Sequence, residues 1–88
     1  MISKKFTINN KIGLHARPAA LFVQVANKYQ SEVIVKKDDA EVNGKSIMGI
    51  MAIGVAGGET IEIVLDGSDE EEAMNDIEEL LTKKILAL

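Results

Sequence analysis

Cysteine is absent from the 88 residues, so neither a disulfide nor a thiolate metal site can supplement the core. Tryptophan is absent too, and the aromatic residues, Phe6, Phe22 and Tyr29, do not sit in a base-stacking pattern. Positive charge is in deficit: ten Lys and Arg stand against fourteen Asp and Glu, a formal charge of −4. That is the wrong balance for a nucleic-acid binder, which needs a basic face. With one histidine, only carboxylates would remain to complete a metal site; no metal and no resident cofactor is expected. No segment approaches the ~20 apolar residues that span a bilayer, and Met1–Phe6 lacks the apolar stretch of a signal peptide. A soluble, cytoplasmic protein without membrane insertion is the expectation. Nothing resembles the nucleophile elbow of a serine hydrolase.

The length suits one domain over residues 1–88, with a modest core that hides roughly 60–65% of the unfolded surface. Ile2, Phe6 and Ile8 alternate with polar residues as a first strand, while Lys4 breaks the parity and suggests an edge. From Ala16 the period becomes helical: Ala19, Phe22, Val23 and Ala26 form a core face, with Leu21 and Val25 at its boundary. Ala16, Ala20, Gln24 and Asn27 make a second stripe of small and polar residues that must be accessible.

Glu32–Lys37 reads as a strand with Val33 and Val35 inward, Asp38-Asp39 as a hairpin turn, and Ala40–Asn43 as the return strand, closing at Gly44. Ile47–Ala52 is a short helix behind Ser46, and Gly54, Gly57 and Gly58 mark loop. Thr60–Asp66 is the clearest strand, with Ile61, Ile63 and Leu65 on one face. The last helix starts at Ser68 or Asp69, with Glu71 or Glu72 completing a capping box. Its expected buried stripe is Ala73, Ile77, Leu80, Leu81 and the stem of Lys84. The order β-α-β-β-α-β-α implies an α+β fold, an antiparallel sheet covered by helices on one face.

Acid is concentrated in Asp66–Glu72 and Asp76–Glu79, whereas Lys4, Lys5, Lys11, Arg17, Lys28, Lys36, Lys37 and Lys45 lie in the first half. An anionic ligand would meet that half. There the only histidine stands in Gly13-Leu14-His15-Ala16-Arg17-Pro18-Ala19, at the start of the first helix. An N-cap imidazole adjoins the unsatisfied amides of Ala16 and Arg17, which carry the positive end of the helix dipole and suit an anion. Arg17 adds a guanidinium fork that matches phosphate oxygens. Pro18 fits the first turn, where its missing N–H costs nothing. An imidazole that is largely neutral at pH 7 is nucleophilic toward phosphorus. Residue types alone leave a capping or surface histidine beside this reading.

The run Gly13–Ala19, together with Lys45-Ser46-Ile47-Met48-Gly49-Ile50-Met51, resembles HPr, the family of histidine-containing phosphocarriers of the bacterial phosphoenolpyruvate:sugar phosphotransferase system. The resemblance covers the whole chain. It implies an open-faced β-sandwich with four antiparallel strands in order 1-4-2-3 and three helices on one face. It further implies that His15 is phosphorylated at Nδ1 by phospho-Enzyme I, that Arg17 stabilises the phosphoryl group, and that Enzyme IIA domains receive it. Such a protein is a transfer intermediate, not a free-standing enzyme, and a monomer is expected.

Ser46 reads most simply as an N-cap bonded to the amide of Met48 or Gly49. In family members of the Gram-positive type this serine is phosphorylated by HPr kinase/phosphorylase, and the local run resembles that type. Ile47, Met48 and Met51 exceed what a short helix led inward by Ile50 can bury. They are core packing or, with Ala16, Ala20 and Gln24, an adaptable docking face for partners. Two rivals remain: a carrier in a nitrogen-related regulatory chain, and a regulatory module in which phospho-Ser46 recruits a transcriptional regulator.

Overall fold

The computed structural model describes residues 1–87. Strand β1 (Ile2–Thr7) is followed by helix α1 (Ala16–Ala26), the hairpin β2 (Glu32–Lys37) and β3 (Ala40–Asn43), helix α2 (Ile47–Ile53), strand β4 (Thr60–Asp66), helix α3 (Glu70–Thr82) and a 3₁₀ turn at Lys84–Ala87. The sheet has four strands in the order β1-β4-β2-β3, all pairings antiparallel. This is the expected open-faced α+β sandwich, with the three α-helices on one face and the other face open.

Register explains which residues are inside. Phe6 pairs with Ile61, and Val33 and Val35 pair with Leu65 and Ile63, so one pleat face is a continuous apolar floor. Phe22, Ile50, Ile77, Leu80 and Leu81 descend onto it from the helices, each essentially inaccessible to water. Lys4 has the inward parity of Ile2 and Phe6, yet β1 is an edge strand where the helical layer ends. Its stem therefore runs out past the Phe6 ring to an ion pair with Glu78 of α3.

Three local expectations are corrected. On α1 the buried residues are Pro18, Ala19, Phe22, Val25 and Ala26, while Val23 is half-buried. Taking Phe22 as the centre, Val25 lies about 60° around the helix and Val23 about 100° the other way, so Val25 has the better claim to the core. Asp69 is the N-cap of α3 but its side chain makes no capping bond. Its carboxylate accepts instead from the amides of Gln30 and Ser31 (2.9 and 3.0 Å) and from the Ser31 hydroxyl, tying α3 to the start of β2. The box closes differently, with Glu70 accepting from the Gly67 amide at 3.1 Å. Finally, Lys84 is exposed, because α3 ends at Thr82 and the chain tightens into the 3₁₀ turn. That change of pitch moves the inward position from Lys84 to Ile85, which is fully buried.

Candidate functional site

The site begins with a glycine. Gly13 has φ +65°, and a Cβ placed there would stand 2.2 Å from the Val55 carbonyl oxygen. Only glycine meets both conditions. This close approach lets the Leu14 amide donate to that carbonyl at 2.9 Å, and the Leu14 side chain is buried. Asn10 donates through Nδ2 to the Gly13 carbonyl at 3.0 Å. The residue after this anchored pair is His15.

His15 is the N-cap of α1, with extended backbone (φ −80°, ψ −168°) and no capping bond from its side chain. The ring is exposed, so its nitrogens are left for chemistry rather than for the helix. Its carbonyl accepts the first helical bond, from Ala19, at 2.8 Å. The amides of Ala16 and Arg17 occupy the first turn, where no intrahelical acceptor exists. No acidic residue stands in that turn, so the helix dipole there is not neutralised locally. Arg17 is exposed and forms no ion pair among the described residues. Pro18, the next residue, is buried. An uncommitted imidazole, free amides and an arginine without an ion-pair partner thus share one exposed helix start, residue types able to accept a tetrahedral anion.

Helix α2 supplies the second group. Ser46 is its N-cap, and Oγ accepts from the Gly49 amide at 3.1 Å, one of the two partners expected. Ile50 is buried, whereas Ile47, Met48 and Met51 are 40%, 80% and 45% exposed. The short helix therefore turns one apolar side to the core and another to solvent. Ala16, Ala20 and Gln24 are exposed on α1, and the two helices pack against each other.

Two bonds give their relative direction. Asn27, beyond the end of α1, donates to the Lys45 carbonyl at 3.3 Å, and Leu14, before its start, donates to Val55 beyond the end of α2. The helices run antiparallel, so Ser46 lies at the far end of α1 from His15. At 1.5 Å per residue the separation is on the order of 15 Å. The exposed side chains of both helices occupy the ground between.

Residues outside the sequence-derived set support this corner. Lys37, at the end of β2, donates through Nζ to the Gly54 carbonyl (2.9 Å) and to Glu59 Oε1 (3.0 Å). The same carboxylate oxygen accepts from the Ala56 amide at 2.6 Å. That amide bond, with the Lys37 ammonium second, holds the Glu59 carboxyl below its ordinary pKa. No local signal marks these residues, although Gly13 and Gly57 hint that two backbones approach closely. Among the described residues no cluster of three or more His, Cys, Asp or Glu could hold a metal, and no helix is long and apolar enough to cross a membrane.

Comparison with known proteins shows the family and the fold. Residues 2–83 match the family model described as the PTS HPr component phosphorylation site. The chain is 50% identical over 74 residues to the HPr-like protein Crh of Halalkalibacterium halodurans, covering 84% of this chain and 88% of that one. It is 48% identical over 81 residues to the phosphocarrier protein HPr of Neisseria meningitidis serogroup A, covering 92% and 91%. The crystal structure of HPr-C-His from Thermoanaerobacter tengcongensis superposes with a TM-score of 0.94 at 48% identity, over 100% of this chain and 98% of that one. With strand order, exposed N-cap histidine and family match in agreement, the chain belongs to the HPr family of phosphocarriers of the phosphotransferase system.

Proposed function

We propose that this protein accepts a phosphoryl group on His15 from phospho-Enzyme I and passes it to Enzyme IIA domains during sugar uptake in the cytoplasm, working as a single 1–88 domain. The observation that carries the reading is an exposed histidine at the N-cap of α1 whose side chain is not spent on capping. The ring nitrogen, Nδ1 by family analogy, attacks phosphorus with its lone pair as the bond to the donor's leaving atom breaks. In the return step the N–P bond breaks and the acceptor's bond forms. Charge on the equatorial oxygens is met by the amides of Ala16 and Arg17, which the helix holds in place, and by the Arg17 guanidinium, which is free to swing onto the phosphoryl group. Catalysis of each half-reaction is shared with the partner, so the chain turns over only in complexes.

Docking falls to Ala16, Ala20, Gln24, Ile47, Met48 and Met51. The two methionines offer a polarizable, adaptable surface suited to several partners. The uncovered apolar side chains of one seven-residue helix are far fewer than a stable interface of ~1,200–2,000 Å² requires. That favours fast exchange of partners and a monomeric carrier, which sedimentation at working concentration tests. Phosphorylation of Ser46 by HPr kinase/phosphorylase regulates transfer: a dianion at the α2 N-cap is compatible with the helix but changes the charge of the face a partner approaches. At on the order of 15 Å from His15, it acts through the partner rather than on the ring.

A second reading, a regulatory module acting through phospho-Ser46 toward a transcriptional regulator, is favoured by the 50% identity to an HPr-like protein; a nitrogen-related phosphotransferase chain would use the same His15 chemistry. Incubation with Enzyme I and phosphoenolpyruvate separates the phosphocarrier readings from the purely regulatory one. The expected result is a single acid-labile, base-stable phosphoryl group that His15→Ala abolishes. Labelling that persists in His15→Ala would assign the wrong acceptor, and an unlabelled wild type would leave the regulatory reading. Enzyme I paralogues from sugar and nitrogen chains, compared in the same assay, separate those two branches.

A further inference from the structure

We infer that Lys37 and Glu59 are positioning residues for His15, acting through the Gly54–Glu59 loop against which the histidine's own loop is seated. The inference rests on the reading of His15 as the phosphoryl acceptor. Neither side chain faces the candidate site through α1; the connection runs through backbone. Lys37 Nζ joins the Gly54 carbonyl to the Glu59 carboxylate, so one cation holds both ends of the loop. Glu59 Oε1 also fixes the amide of Ala56 in its middle. Between them the Val55 carbonyl receives the Leu14 amide, and the Gly13 Cα sits so near Val55 and Ala56 that even a methyl group would collide. His15 follows Leu14 at once. A shift of the Val55 carbonyl is therefore passed to the residue before His15 with no slack between.

The arrangement has the marks of a built brace. The Lys37 side chain is only 18% exposed, and its partners come from residues 17 and 22 positions away, so the ammonium is held in place by loop groups rather than by its own strand. The loop contains Gly54, Gly57 and Gly58, two of them at positive φ, and without a cross-link such a segment has many accessible conformations. Phosphoryl transfer is sensitive to the placement of the nucleophile, and an error of an ångström introduced from a distance can cost about a hundredfold.

The experiment uses the full chain with four substitutions: Lys37→Met, Lys37→Arg, Glu59→Gln and Lys36→Met. Lys36 lies on the open face beside Lys37 and pairs with Glu41, so it controls for charge. Single-turnover acceptance from phospho-Enzyme I is read together with NMR shifts of the His15 ring and hydrogen exchange of the Leu14 amide. Lys37→Met and Glu59→Gln should each slow acceptance about three- to tenfold, speed Leu14 exchange and move the His15 ring signals. Lys37→Arg should recover most of the rate, and Lys36→Met should match wild type. If Lys37→Met does not fold, Glu59→Gln, which keeps an oxygen for the Ala56 amide, decides. Acceptance in Lys37→Met or Glu59→Gln no slower than in Lys36→Met, or unchanged Leu14 exchange and His15 signals, would overturn the brace while leaving His15 as acceptor. A wild type that takes no phosphoryl group would overturn both.

Discussion

Replacing Gly13 by alanine tests the foundation of the site, and replacing Gly54 supplies its control. Both glycines have φ +65°, but a Cβ at Gly54 would meet nothing within 4 Å, whereas one at Gly13 would lie 2.2 Å from the Val55 oxygen, 2.7 Å from the Ala56 carbonyl carbon and 2.8 Å from its Cα. The left-handed conformation costs an L-residue about 1–2 kcal/mol, and both variants bear it. Gly13→Ala must also push rigid backbone aside. Relieving the overlap breaks the 2.9 Å bond between the Leu14 amide and Val55, and a buried donor left unpaired costs about 1–3 kcal/mol. The expected destabilisation is about 1–2 kcal/mol for Gly54→Ala and about 2–5 kcal/mol for Gly13→Ala. Against the roughly 4–13 kcal/mol typical of a domain this size, the second is a large fraction. Urea unfolding at pH 7 reads the difference directly, provided the two slopes agree. Gly13→Ala should in addition lose phosphoryl acceptance at His15 while still folded. Equal midpoints for the two variants would refute the close approach on which the placement of His15 depends.

Ser46→Ala should cost about 1 kcal/mol through loss of the α2 cap without slowing acceptance at His15, whereas Ser46→Asp should slow it; equal rates for the two would argue against regulation by charge at this position. Met48→Glu should weaken binding to Enzyme I at least about fivefold, yet leave stability within about 0.5 kcal/mol because that side chain is already in water; calorimetry and thermal melts check the two halves. Asp69 has its pKa held below the ordinary value, chiefly by the Ser31 hydroxyl and then by the Gln30 amide. A lowered folded pKa means its contribution is complete above the unfolded value of about 4 and is lost as pH falls through the folded one. Wild type should therefore exceed Asp69→Asn in stability at pH 7, with the gap closing only below about pH 4; a gap independent of pH would show that the charge is irrelevant there.

The pattern of apolar residues, period two in Thr60–Asp66 and near 3.6 in Ala16–Ala26, by itself determined element type and order, since burial of one face is a local demand that each segment must meet. Strand order followed from family resemblance rather than from the pattern, and tertiary pairing is what places β4 at the centre. The His15 corner was legible because its parts are consecutive: a cap, two free amides, a guanidinium and a proline are one helical turn. The use of Asp69 was not legible, because its carboxylate had two competitors, its own helix and the distant Ser31, and only the folded chain brings the second within reach. The same holds for the exposure of Met48, for Ile85 displacing Lys84 at the core, and for Lys37 and Glu59, whose partners come from other elements. Local chemistry in this protein is written in neighbouring residues, but a choice between alternative partners depends on distances that exist only after the sheet and helices have packed.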